Sequence, residues 1–68
     1  MAEVVNAVVV RFDPTVGLGA VEVDGTAHPF HATAIAGGSR MVAVGAEVVV
    51  VLEPGHGGQY WATSVLEP

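Results

Sequence analysis

Cysteine is absent and so is lysine: Arg11 and Arg40 are the only permanent cations of the 68-residue chain, whose formal net charge is −5. Without cysteine there are no disulfides and no thiolate zinc sites, the usual reinforcements of so short a chain, and a reducing compartment fits. The acidic balance removes the long-range attraction that draws basic proteins to phosphate backbones. No stretch approaches the ~18 to 20 unbroken apolar residues of a membrane-spanning helix. The segment MAEVVNAVVVRF lacks the basic start of a secretory signal, so the expectation is a soluble, cytoplasmic protein with no membrane contact. A helical 3.6-residue apolar period persists nowhere.

Catalytic patterns are missing too. The hydroxyls Thr15, Thr26, Thr33, Ser39, Thr63 and Ser64 belong to no nucleophile motif, and the carboxylates Asp13, Glu22 and Asp24 sit beside turns, where hydrogen bonding to the backbone is their ordinary role. The loop AGGSR, residues 36–40, is glycine-rich but lacks the strand-to-helix setting of a phosphate cradle and reads as a flexible connection. His28 and His31 form an H-x-x-H, yet residues three apart on a strand point to opposite faces, so no metal site is expected. We therefore expect neither an enzyme nor a cofactor.

What the chain does have is valine, in short runs closed by turn residues. A β-branched side chain is better placed on a pleated surface than in a helix. NAVVVRF ends at Asp13-Pro14, GAVEV at Asp24-Gly25 and AEVVVVLE at Pro54-Gly55, and QYWATSV follows His56-Gly57-Gly58. This spacing predicts an all-β barrel occupying residues 1–68 as one domain. Asp24-Gly25 predicts a two-residue type I′ hairpin between the second and third strands, because both positions tolerate positive φ. Alternation assigns Leu18, Ala20 and Glu22 to the outer face of strand two, and Val21 and Val23 to the core. On strand three Phe30 is core, with Pro29 and His31 outside.

The stretch RFDPTVGLGAVEVDG followed by FHATAI resembles the cold-shock domain family along nearly the whole chain. Gly17, Gly19, His31, Ala34-Ile35, Gly45 and Val65 fall in register with it. The resemblance implies a five-stranded OB-fold Greek-key barrel that binds single-stranded RNA or DNA through outward rings. Departures concentrate on those rings: Arg11, Leu18, Ala20, Pro29 and Ala32 stand at ring positions, Val16 where a lysine is usual, and the loop ring is missing near Ser39. One base stacked on one ring contributes about 1 to 3 kcal/mol, so five lost rings at even ~1 kcal/mol imply more than thousandfold weaker binding. The residual candidates for nucleic acid are Arg11, Phe12, Leu18, His31 and Trp61, with guanidinium stacking in place of a ring at Arg11. Of Tyr60 and Trp61, one is expected to fill core and the other to cover barrel surface.

A second candidate surface comes from the valine run, whose faces the resemblance helps to sort. Val48, Val50 and Leu52 are expected in the core and Val49 and Val51 outside. On the first strand Val8 and Val10 are also outside, so that Val8, Val10, Val49 and Val51 form one apolar patch between glutamates 47 and 53. Such a patch fits a homodimer or a partner protein. β propensity alone would also place valine there.

Overall fold

The computed structural model describes residues 2–38 and 41–68. The four apolar runs and the return strand of the Asp24-Gly25 hairpin become five strands, β1 (Glu3–Asp13), β2 (Leu18–Val23), β3 (Thr26–His31), β4 (Glu47–Pro54) and β5 (Tyr60–Leu66), joined by turns and short 3-10 segments. All strand pairs are antiparallel, and the order across the sheet is β3-β2-β1-β4-β5. The sheet curls until its two edges meet. At that seam a His28 Nδ1–H donates to the Tyr60 carbonyl at 3.3 Å, and Ile35 forms a parallel bridge with Val65. No described helix is long and apolar enough to cross a membrane.

Turn chemistry explains the corners. Asp24 and Gly25 adopt φ of 49° and 83°, the left-handed pair that a two-residue hairpin demands. At the β1–β2 corner the Asp13 carboxylate accepts from the Thr15 and Val16 amides at 2.9 and 3.4 Å, while the Gly17 amide donates to the Asp13 carbonyl at 2.8 Å. Ser39 and Arg40 of the glycine-rich loop lie outside the described residues.

The concave side of the sheet closes on one core. Val9, Val21, Phe30 and Val50 are fully buried there, together with Val48, Leu52, Ala62 and Val65. Phe30 is the largest of these, and its ring occupies the space that a side chain at Gly19 would need: a Cβ on Gly19 would stand 2.5 Å from the ring. The assignments of Val21, Phe30, Val48, Val50 and Leu52 to the core agree with alternation. Val23 packs against the core only in part.

Alternation is interrupted twice, and each interruption changes a side chain's destination. Val9 pairs with Val21 but Arg11 pairs with Ala20, leaving Val10 as an extra residue on β1. Val51 pairs with Ser64 but Leu52 pairs with Ala62, leaving Thr63 as an extra residue on β5. A bulge of this kind shifts the in-out phase of the strand beyond it by one. After Val10, Arg11 therefore faces out and Phe12 faces in. Read backwards along β5 from buried Val65, Thr63 reverses the phase so that Ala62 faces in and Trp61 out.

Candidate functional site

The outer face near the seam collects the residues with binding chemistry. Cross-strand partners share a face, so the register places two rows across it: Arg11, Ala20 and Pro29 in one, and Asp13, Leu18 and His31 in the other. Beyond β3 the next strand around the seam is β5. There Trp61 stacks on His31, with ring centroids 4.9 Å apart and planes 15° from parallel. Arg11, Leu18, Pro29 and Trp61 line a groove of about 320 Å³. Asp13, Val16 and Gly19 line it as well, and Ala20, between Arg11 and Pro29 in the register, is only 2% exposed although it points away from the core. Strand alternation gave its direction and not its burial, which follows from the longer side chains of Arg11 and Pro29 on either side.

Four sequence candidates, Arg11, Leu18, His31 and Trp61, are thus brought to one surface. The fifth is not. Phe12 is half-buried, packs against the core and stacks on Phe30 at 5.9 Å with planes 3° apart, because the bulge at Val10 turns it inward. The expectation for Tyr60 and Trp61 is also corrected. Neither ring fills the core: Tyr60 is 40% exposed, Trp61 is half-buried against His31, and the inward β5 positions belong to Ala62 and Val65. Tyr60 shares the inward phase of Ala62 but lies at the strand's end and stays exposed, whereas Trp61 is turned outward by the bulge at Thr63. Its hydroxyl hydrogen-bonds to Glu53 Oε1 at 2.5 Å and lies 3.4 Å from the Val51 carbonyl oxygen, so side-chain bonds tie the interrupted ladder to β4.

Charge in this region is sparse. Asp13 spends its carboxylate on the corner amides, and Arg11 has no ion-pair partner among the described residues. Its guanidinium is therefore free to meet an anion. His28 lies on the opposite face of β3 from His31, as the spacing predicts, with its Nδ1–H committed to Tyr60. Among the described residues no three histidines or carboxylates are grouped closely enough to hold a metal ion.

The second candidate surface is arranged differently from the four-valine patch expected of it. β1 and β4 are neighbours, and Val8 and Val10 are 39% and 41% exposed, with Val49 and Val51 half-buried. Register, however, sets Val8 between Glu22 and Glu47, and Val10 lies past it at the bulge. Val49 instead stands between Asn6 and Leu66, and Val51 between Val4 and Ser64. The apolar strip is Val4, Val49, Val51 and Leu66.

Compared with protein-family models and with curated proteins, the sequence matches none. The functional reading accordingly rests on the geometry.

Proposed function

We propose that this chain is a small OB-fold module of cold-shock type that weakly binds single-stranded RNA or DNA across the Arg11–Leu18–His31–Trp61 face. The strand order, with β3 and β5 meeting at the seam, supports the Greek-key assignment. One observation carries the functional part: two separate bulges re-aim Arg11 and Trp61, residues of distant strands, to the same outer surface. A base stacks on the His31–Trp61 pair, Leu18 and Pro29 supply apolar contact, and the Arg11 guanidinium meets a phosphate.

Magnitudes place the affinity low. Two stacks at about 2 kcal/mol each correspond to a millimolar dissociation constant on the scale where 4.1 kcal/mol is 1 mM. The acidic chain adds no long-range attraction, and a single phosphate contact gives a shallow salt dependence, a log–log slope of about −0.7 for a single strand. Fluorescence anisotropy of labelled oligo-dT and oligo-U at low salt is the test. Binding at high micromolar to millimolar protein that drops on Arg11→Gln or Trp61→Leu supports the reading; a flat titration through that range rejects it.

A second reading has its own observation, the uncharged outer strip of Val4, Val49, Val51 and Leu66, in which Val4 is 69% and Leu66 51% exposed. A strip of this kind is suited to a protein contact, a second copy of the chain included. A pull-down whose partner is lost when Val49 and Val51 become lysine would favour it.

A further inference from the structure

The outer face of β1, β4 and β5 is built row by row. One row is Asn6, Val49 and Leu66 and the next is Val4, Val51 and Ser64, so the apolar strip is three strands wide. Carboxylates stand at both of its ends. Val8 and Glu47 form the row before it, with Glu22 across from Val8 on β2, and Glu53 follows Val51 at the other end. Alternate residues of β4 share the face, so Glu47, Val49, Val51 and Glu53 run in line, carboxylate to carboxylate over about 20 Å. The Thr63 hydroxyl donates to Glu53, which fixes that carboxylate in place. Beside Glu47 a hollow of about 490 Å³ opens, lined by Asn6, Val8, Glu22, Asp24, Glu47 and Val49 among others, with room for a long cationic side chain next to an apolar one.

Whatever covers the strip has to answer that pattern of charge. A second copy does so poorly. Among the described residues Arg11 is the only arginine or lysine, and it lies in the row of Ala20 and Pro29, lining the other groove. Two copies packed face to face therefore oppose carboxylate to carboxylate, which disfavours the pair. A partner with cations at the ends of an apolar stripe turns the same carboxylates into attraction. Helices are the elements that ordinarily cover one face of a sheet, and a helix spans about 20 Å in about 14 residues.

We infer that this face docks an amphipathic helix of a partner protein, basic at both ends of its apolar stripe. The stripe lies on Val4, Val49, Val51 and Leu66, and lysines or arginines about 20 Å apart meet Glu47 and Glu22 at one end and Glu53 at the other. The inference rests on the protein-contact reading of the strip and is independent of the single-strand reading, whose face lies beyond the bulge at Val10.

Amide correlation spectra of the full chain, titrated at low salt with three synthetic helical peptides, test it. The first has a leucine stripe with lysine at both ends, the second carries glutamate in place of those lysines, and the third keeps the lysines but has alanine for leucine. The first is expected to shift the amides of Val4, Val49, Val51 and Leu66 and to bind at least about fivefold tighter than the second, a gap that narrows as salt rises. Val4→Ser, at a 69% exposed position away from the core, is expected to weaken that binding at least about threefold, and Glu47→Gln to reduce the preference for lysine over glutamate by about half. The free chain is expected to sediment as a monomer. Equal binding of the first two peptides at the strip, or a dimer of the free chain that Val4→Ser dissociates, would overturn the basic helix and leave the protein-contact reading standing. A strip indifferent to both leucine peptides would remove both. If the alanine peptide matches the first and its shifts spread to Asp13 and Asp24, the attraction is general to the acidic surface and the inference falls as well.

Discussion

Two glycines show how single residues set the site. At Gly55 and at Gly19 a ring occupies the space of the missing side chain, Trp61 in one case and Phe30 in the other. Gly55→Ala is expected to displace the indole, shifting Trp61 emission to longer wavelength and raising its quenching by acrylamide, with a stability loss of about 1 to 3 kcal/mol from overpacking. Unchanged emission and melting temperature would show that the ring has room to spare. Gly19→Ala is harder to accommodate, since the Arg11 carbonyl also stands 2.6 Å from its Cβ, and it is expected to lower stability more, measured by urea unfolding. The glycine spacing around residues 17 to 19 was visible in the sequence. The ring that enforces Gly19 lies on another strand, so its identity was not.

At the scale of strands, the apolar runs and their turn residues carried most of the fold. Asp24-Gly25 foretold its hairpin because its positive φ values are a local requirement. Core membership along β4 followed from alternation, which Glu47–Pro54 obeys without interruption on its β1 side. The two bulges were a different matter. An inserted residue leaves no mark in composition, since Val10 sits in a valine run and Thr63 among ordinary strand residues, and register is a property of two strands at once. For the same reason alternation alone puts Phe12 outside and does not decide between the rings of β5. Deleting Val10 removes the extra residue and leaves Val9 inward, Arg11 outward and Phe12 inward under strict alternation. The deletion is therefore expected to keep a cooperative thermal transition, and loss of cooperative unfolding would show that the bulge does more than set the phase of the strand. At the second bulge, Thr63→Val removes the bonds to Glu53 and Val51 and is expected to lower stability by about 1 kcal/mol in urea unfolding.

For the molecule as a whole, charge and exposed apolar surface govern association. With seven carboxylates against two arginines, repulsion disfavours any polyanion, and attraction is confined to the locality of Arg11. Binding of oligo-dT is therefore expected to lose its small salt dependence in Arg11→Gln. A steep slope in the parent chain would mean several phosphate contacts and a different interface. The outer strip makes the opposite kind of forecast. If Val4, Val49, Val51 and Leu66 join two copies, sedimentation velocity at micromolar concentration gives a dimer that Val49→Lys dissociates; a monomer unaffected by the substitution dismisses self-association through this face. Trp61 is the chain's one tryptophan, so its intrinsic fluorescence reports on the seam alone. The most direct measurement is that emission during titration with oligo-dT at low salt: saturable quenching at millimolar ligand, diminished by Arg11→Gln, is the result expected of a face built by two bulges, and emission indifferent to the oligonucleotide would contradict it.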